Sequence, residues 1–178
     1  ERAWLLDREN RSVILQRALT LSALGRNQEA ESALDYFLQE DSDPKRVFAL
    51  AERAIIRART GRVEPAIADF TSTIQLQPTI ELYVIRGDLQ ESLGKLEEAA
   101  AGYQDGLDKL GNAILLKKGL IRVQIAQKQY GEALASVDEE VARASVKTPW
   151  FLQRADLLAR MGQSTASQLT YQQALNEA

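Results

Sequence analysis

A short motif recurs through the chain at nearly constant intervals. The segments LGRNQEA, TGRVEPA, LGKLEEA, QKQYGEA and MGQSTAS begin at residues 24, 60, 93, 127 and 161, so successive copies are 36, 33, 34 and 34 residues apart. Such a period is typical of proteins that stack one structural unit repeatedly, each unit burying its apolar face against the next. The sequence therefore predicts a repeat architecture.

Within each period, small and large residues occupy fixed places. The two small places hold Ala18, Ala54, Gly87, Ile121 and Ala155, and then Ala30, Ala66, Ala99, Ala133 and Ser167. Large apolar residues follow in pairs one helical turn apart, as in Leu34 and Leu38. Small residues allow two helices to approach closely, and large residues fill the space between one pair and the next. This pattern predicts pairs of helices and no strands.

The pattern resembles the tetratricopeptide family, whose unit of 34 residues has a glycine at its fifteenth position and an alanine at its twentieth. The fifteenth position falls on Gly25, Gly61, Gly94, Lys128 and Gly162. The resemblance implies an all-α fold, a right-handed superhelix (α-solenoid) of antiparallel helix pairs. It implies one solenoid domain, residues 11–178, with five repeats at 11–46, 47–79, 80–113, 114–147 and 148–178. The fourth repeat, with Ile121 and Lys128, is expected to pack slightly differently.

Local signals predict where the helices begin and end. Ten helices are expected near residues 11–24, 28–41, 45–60, 63–76, 80–93, 96–110, 114–127, 130–143, 148–161 and 164–177. Asp43 before Pro44 and Thr148 before Pro149 are typical of a helix N-cap followed by proline.

Residues 1–10 match the end of a preceding repeat in the same register, so they are a remnant of that repeat or an N-terminal extension. Residues Trp4 to Leu6 are expected to continue the first helix or to lie against it, because an isolated half-unit cannot bury its apolar face.

Composition excludes several kinds of chemistry. The chain has no cysteine and no histidine, which removes thiolate sites, the usual zinc ligands and the commonest general base. We therefore predict no catalytic residue, no metal site and no cofactor. The 22 basic and 25 acidic residues are intermixed, so nucleic acid is not an expected partner.

No apolar run approaches the roughly 20 residues that cross a bilayer, so direct membrane insertion is not expected. Arginine outnumbers lysine and alanine is abundant, which favours a bacterial source. The composition suits the bacterial cytoplasm and the periplasm equally.

Two short motifs and one recurring arginine have structural interpretations. Ser92 and Lys95 have the S-x-x-K spacing of a Ser-Lys nucleophile pair, but they lie across a predicted helix turn. The acidic run at residues 41–43 is explained by capping before Pro44. An arginine recurs at the seventh position of four repeats, as Arg17, Arg53, Arg86 and Arg154. We expect these arginines to bond neighbouring helices, with Asp69 as the partner of Arg53; the alternative is an arginine ladder for an acidic partner.

The resemblance also implies a binding surface, because the first helix of each unit lines the concave side in this family. The N-terminal part of that groove is predicted to be apolar, through Leu15, Leu19, Phe48 and Ile55. Its C-terminal part carries mixed charges, through Arg59, Asp88, Glu91, Lys118, Arg122, Asp156 and Arg160. A helix or extended peptide with one apolar end and mixed charges would match. Alternatively, an upstream repeat, residues Trp4 to Leu6 or a second copy covers the apolar end.

Family members that grip the C-terminal carboxylate of heat-shock chaperones use a set of lysines, asparagines and an arginine. Here the corresponding places hold Leu15, Leu19, Glu52, Glu81 and Ile85, so a carboxylate clamp is not predicted. We predict a non-catalytic scaffold that binds a protein or peptide partner as a module of a larger bacterial protein. The alternatives are a structural spacer, self-association through the N-terminal end, or an accessory of an envelope complex.

Overall fold

Ten α-helices joined by short turns make up the protein in a computed structural model, which describes residues 2–40 and 42–177, with side chains from residue 10 onward. The helices are α1 Arg2–Ala23, α2 Asn27–Phe37, α3 Arg46–Arg59, α4 Val63–Leu76, α5 Ile80–Ser92, α6 Leu96–Leu110, α7 Ile114–Ala126, α8 Tyr130–Arg143, α9 Thr148–Arg160 and α10 Ser164–Asn176. The described residues contain no strand. The chain divides into two compact units, residues 1–89 (unit 1) and 90–178 (unit 2), which are described one at a time.

All ten predicted helices are present, and the largest differences lie near the N-terminus. Helix α1 begins at Arg2, so the prediction that residues Trp4 to Leu6 continue the first helix is confirmed for the backbone; their side chains lie outside the described part of the chain. Helix α2 ends at Phe37, four residues early. The Arg46 guanidinium donates to the carbonyl oxygens of Leu38, at 2.9 Å, and Glu40, at 3.4 Å. These bonds satisfy backbone acceptors that a longer helix would have used.

Both predicted N-caps are wrong. Asp43 accepts a hydrogen bond from the Lys45 N–H at 2.8 Å, but that bond closes a turn before α3, which begins one residue later without a side-chain cap. The Thr148 hydroxyl donates to the Glu177 carbonyl oxygen at 3.2 Å, so tertiary packing against the end of α10 has taken the place of local capping. Asp41, the first residue of the acidic run, lies outside the described residues.

The glycines predicted at the turns adopt a backbone conformation that favours glycine over other residues. Gly25, Gly61, Gly94 and Gly162 have φ between 71° and 79°, the left-handed region that glycine enters without steric cost. Lys128 stands at the same place in the fourth repeat and has φ of 62°. The fold therefore imposes the same turn on a residue that adopts it unfavourably.

The predicted small residues lie where helices meet. In unit 1, Ala18, Ala30, Ala54 and Ala66 are fully buried, and Phe70 packs in a cluster with Ala54 and Ala66.

In unit 2, Ala99, Ala133 and Ala155 are fully buried. Ile121, Val137, Trp150 and Leu157 form an apolar cluster with Ala133 across α7, α8 and α9. The repeat pattern in the sequence thus corresponds to the contacts that hold each helix pair together.

No helix within residues 2–40 and 42–177 combines the length and the apolar character needed to cross a membrane. The same residues contain no group of three or more acidic side chains placed to hold a metal ion.

Candidate protein-interaction surface

The first helix of the second pair exposes two large apolar side chains in unit 1. Phe48 is 53% exposed and Ile55 is 43% exposed. They are seven residues apart on α3, so they lie on one face two turns apart. Leu19 on α1 is half-buried. We call Leu19, Phe48 and Ile55 the apolar patch.

Leu15 was predicted to belong to this surface, and that prediction is wrong. Its side chain is only 5% exposed and packs in the core cluster with Leu34, Phe37 and Leu50. It fills the space among α1, α2 and α3. The burial of Leu15 therefore depends on how three helices pack together, which its position within one helix does not reveal. Leu15 is therefore a core residue and is not available to a partner.

Arg59 connects α3 with the α1–α2 turn. Its Nη2 donates to the Ser22 hydroxyl at 3.2 Å and to Asn27 Oδ1 at 2.5 Å. Ser22 in turn donates to Glu52 Oε1 at 2.6 Å. Arg59 is exposed but already bonded to its neighbours, so it supplies a fixed polar group in place of a freely moving charge. Asp88, on α5, is exposed.

Two predicted contact residues of unit 2 form an ion pair with each other. Arg122 donates from Nε to Glu91 Oε2 at 2.8 Å and from Nη2 to Oε1 at 2.6 Å. The hydroxyl of the buried Tyr103 donates to Glu91 Oε1 at 2.9 Å. A paired arrangement of this kind fixes both charged groups, and Arg122 remains about half exposed.

The other predicted charges of unit 2 lie on α7 and α9. Arg160 donates from Nε to Asp156 Oδ2 at 2.7 Å, one turn away. That hydrogen bond raises the pKa of Arg160 above its ordinary value. The Lys118 ammonium lies 5.7 Å from the centre of the Trp150 ring, a cation–π distance.

Two further exposed apolar side chains of unit 2, Leu115 on α7 and Leu152 on α9, stand at repeat positions that are expected to line the concave side. Leu115 occupies the same position as Phe48, although the predicted contacts in this part of the surface were its charges. Unit 2 therefore has an apolar component on its first helices as well.

The recurring arginine has the predicted structural role at two places. Arg53 donates from Nε and Nη2 to the Asp69 carboxylate at 2.9 and 2.7 Å, which confirms the predicted pair, and from Nη1 to Asp35 at 2.7 Å. Arg154, at the same position in unit 2, donates to Asp138 at 2.6 Å and to the Thr170 hydroxyl at 2.9 Å. Each arginine thus joins its own pair to the second helix of the preceding pair.

A buried carboxylate extends this network in unit 1. Glu31 on α2 accepts from Arg57 Nε at 2.8 Å and from Arg62 through two further hydrogen bonds. Burial acts to raise the pKa of Glu31, but the hydrogen bonds from Arg62 and Arg57 outweigh it and leave the pKa below its ordinary value. Glu31 is therefore ionised and paired at neutral pH.

Lys117 is a buried cation that the sequence did not reveal. Its ammonium donates to Glu140 at 2.8 Å and to Glu139 at 3.0 Å. Burial acts to lower the pKa of Lys117, but the two carboxylates outweigh it and raise the pKa above its ordinary value. The neighbouring Lys118 points outward, since successive helix residues differ by about 100° in direction.

The paired helices, the buried alanines between them and the left-handed residue at each turn define a helical-repeat protein. No family model and no curated protein matches the sequence. Solved structures do match: a MamA structure from Desulfovibrio magneticus RS-1 aligns at 12% identity with a TM-score of 0.68, covering 93% of each chain.

Two further matches are tetratricopeptide proteins. YrrB, described as a TPR protein with an unusual peptide-binding site, aligns at 14% identity and a TM-score of 0.70, covering 98% of this chain and 90% of its own. A tetratricopeptide repeat protein from Parabacteroides merdae ATCC 43184 aligns at 16% identity and a TM-score of 0.51, covering 96% and 80%. The chain has the tetratricopeptide fold, as the resemblance implied.

Proposed function

We propose that this chain is a non-catalytic scaffold, five repeats in one domain of a larger bacterial protein, that binds a helix or extended peptide of a partner protein. The observation that carries this proposal is the exposure of Phe48 and Ile55 on one face of α3. Large apolar side chains grouped on a surface are typical of interaction sites. The peptide-binding site attributed to YrrB, which has the same fold, supports the proposal.

In unit 1 the apolar patch supplies the contact energy. Burying a side chain such as Phe48 against a partner contributes roughly 1.5–3 kcal/mol. The fixed Arg59 guanidinium, which follows Ile55 by one turn on α3 and is held by the buried Ser22, supplies a polar group next to the patch. A ligand with apolar side chains spaced to contact Phe48 and Ile55, and with a polar group near Arg59, fits this surface.

In unit 2 the corresponding first helices offer Leu115 and Leu152 together with Lys118 and the Glu91–Arg122 pair. Because Glu91 already engages Arg122, a ligand gains most from Lys118 and from the two leucines. An acidic side chain between apolar ones is the ligand chemistry that we propose for this surface.

The test is selection from a random peptide library on the immobilised protein, followed by calorimetric titration of the selected peptides. A variant with Phe48→Glu and Ile55→Glu should bind the selected peptides at least about tenfold more weakly, a loss of 1.4 kcal/mol or more. The matched control carries Leu76→Glu and Leu169→Glu, two exposed leucines on second helices, and should bind normally. Circular dichroism verifies the helicity of both variants. Equal binding by the wild type and by the Phe48→Glu, Ile55→Glu variant would exclude the apolar patch as the site.

A second candidate function is self-association through the N-terminal end, favoured by one specific observation. Val13 on α1 is 64% exposed, whereas the same position in the second, fourth and fifth repeats holds the buried side chains of Ala49, Leu116 and Trp150. Tyr36 on α2 is also exposed. Light scattering over a wide concentration range tests this hypothesis. If a second copy binds this face, the average mass rises with concentration, and the double change Val13→Glu, Tyr36→Glu abolishes that rise. A constant monomeric mass would exclude it.

A further inference from the structure

Neighbouring repeats of unit 1 join through a defined set of contacts between α2 and α3. Leu34 and Leu38, on and just after α2, pack in one buried cluster with Leu50 of α3. Arg53 of α3 donates to Asp35 of α2 at 2.7 Å. The second helix of one repeat thus covers the first helix of the next with two large apolar side chains and places a hydrogen-bond acceptor on its arginine.

Unit 2 uses the same arrangement between α8 and α9. Val137 and Val141, at the same two repeat positions on α8, pack with Trp150 of α9. Arg154 of α9 donates to Asp138 of α8 at 2.6 Å. Because two separate places in the chain use the same contacts, these contacts indicate what each face of a repeat is able to bind.

The receiving half of this contact is open to solvent on α1. A groove of about 880 Å³ lies between α1 and α2, and Ile14 and Arg17 line it at the repeat positions of Leu50 and Arg53. Leu50 is buried, whereas Ile14 is half-buried, Arg17 is exposed and the adjacent Val13 is 64% exposed. We call Val13, Ile14 and Arg17 the α1 face.

The covering half of the contact is open to solvent on α10. Tyr171 and Leu175 occupy the two apolar positions that are buried on α2, but here they are 42% and 72% exposed. Gln172, which is also exposed, stands at the position of Asp35. Its amide oxygen is a hydrogen-bond acceptor, and an arginine has only donors. We call Tyr171, Gln172 and Leu175 the α10 face.

We propose that the α10 face of one copy of this chain packs on the α1 face of a second copy, as α2 packs on α3. Tyr171 and Leu175 then bury Val13, and the Gln172 oxygen accepts from Arg17. One sequence carries both halves of the contact, so a second copy supplies all that each face requires. The proposal rests on the self-association proposed above and adds the surface that the second copy contributes. Because the two faces differ, a pair keeps one free face of each kind and association continues beyond a dimer.

Sedimentation velocity of the wild type and of two single-face variants tests this contact. Val13→Glu blocks the α1 face and Leu175→Glu blocks the α10 face; both side chains are exposed, so circular dichroism should show wild-type helicity. We expect the wild-type mass to rise beyond that of a dimer with concentration, and each variant alone to stay monomeric. An equimolar mixture of the two variants should form one-to-one dimers and nothing larger, because only one competent pair of faces remains.

The other outcomes overturn the proposal in distinguishable ways. If only Val13→Glu is monomeric, the N-terminal faces pair with each other, so self-association stands and the role of α10 is excluded. If only Leu175→Glu is monomeric, copies pair through α10 alone. A monomeric wild type, association in both variants, or a mixture without dimers excludes the contact between the two faces.

A change on α10 tests the hydrogen bond to Arg17 separately. Gln172→Glu restores the acceptor charge that Asp35 has, so we expect association to tighten by roughly fivefold, because charged acceptors form stronger hydrogen bonds. The gain should vanish when Arg17→Gln is also present. Gln173→Glu, the same charge change at the next exposed residue, is the matched control and should give no gain. An equal gain from both glutamates, or a gain that persists with Arg17→Gln, would exclude the bond to Arg17.

Discussion

Gly119 on α7 lies directly against the ring of Tyr103 on α6, with no room for a side chain between them. A Cβ atom at residue 119 would be 2.6 Å from two ring carbons of Tyr103, which is far inside van der Waals contact. The close contact positions the Tyr103 hydroxyl where it donates to Glu91 and accepts from Arg122. In the fourth repeat the usual small position holds the large residue Ile121. The close approach of α7 to α6 occurs at Gly119.

Replacing Gly119 by alanine should lower the free energy of unfolding by about 1–3 kcal/mol, because the Tyr103 ring has to move out of a packed site. The measurement is urea unfolding followed by circular dichroism. Gly131→Ala is the control, since a Cβ there meets nothing within 4 Å and alanine favours the helix by up to about 1 kcal/mol. The same loss in both variants would mean that the Tyr103 contact is not the cause.

Lys128→Gly should stabilise the protein. Lys128 has φ of 62°, and a residue with a Cβ pays roughly 1–2 kcal/mol in this region. Glycine removes that strain but loses more backbone entropy, so the expected net gain is about 0.5–1 kcal/mol. The urea midpoint measures it, and the reverse change Gly94→Ala should destabilise by a similar amount. An unchanged midpoint for Lys128→Gly would show that the turn at Lys128 is not strained.

Removing the Asp69 carboxylate should cost about 2–4 kcal/mol, because Arg53 and Arg57 both bond to it and breaking a largely buried pair leaves a charge uncompensated. Asp69→Ala tests this by urea unfolding. Asp35→Ala is the control, since Asp35 also bonds Arg53 but is half exposed, and exposed pairs contribute about 1 kcal/mol or less. Asp69→Thr, which copies Thr170 of unit 2, should be intermediate. Equal losses for Asp69→Ala and Asp35→Ala would contradict the expectation.

Glu31 should make stability depend on pH in the acid range. Its pKa is below the ordinary value in the folded chain, so its pairing with Arg57 and Arg62 stabilises at neutral pH. That contribution is lost as the pH falls from the ordinary glutamate pKa, about 4.3, through the lower folded value. Glu31→Gln should therefore be less stable than the wild type at pH 7 and approach it in acid. Glu64→Gln, an exposed change of equal charge, should show a smaller difference, and a constant difference for Glu31→Gln across pH would refute the assignment.

The sequence predicted the features that repeat and missed those that depend on contacts between repeats. The turn at Gly94 and the burial of Ala66 were predictable because the same turn and the same buried position recur in every repeat. Recurrence distinguishes a structural requirement from chance. Leu15 was misplaced because its burial depends on three helices packing together. Thr148 was misassigned for the same reason, since its hydroxyl bonds to Glu177 near the other end of the last helix pair.

The candidate surface was predictable in part. The exposure of Phe48 and Ile55 followed from the repeat position, but the pairing of Glu91 with Arg122 did not. That pair depends on Tyr103, 12 residues from one partner and 19 from the other, and on the space that Gly119 provides. The sequence also did not predict that Lys117 points inward. Lys117 and Lys118 are identical neighbours, and only the packing of α7 determines which of them is buried.

The position of Arg53 has a consequence for how the protein opens. Its guanidinium bonds the second helix of its own pair through Asp69 and the second helix of the preceding pair through Asp35. Fraying that starts at α1 and α2 therefore has to break the Asp35 bond, whereas α3 and α4 remain joined through Asp69. We expect amide hydrogens of α3 and α4 to exchange together and more slowly than those of α2, because Asp69 still holds α3 to α4 after the bonds from Arg53, Arg57 and Arg62 to α2 are broken.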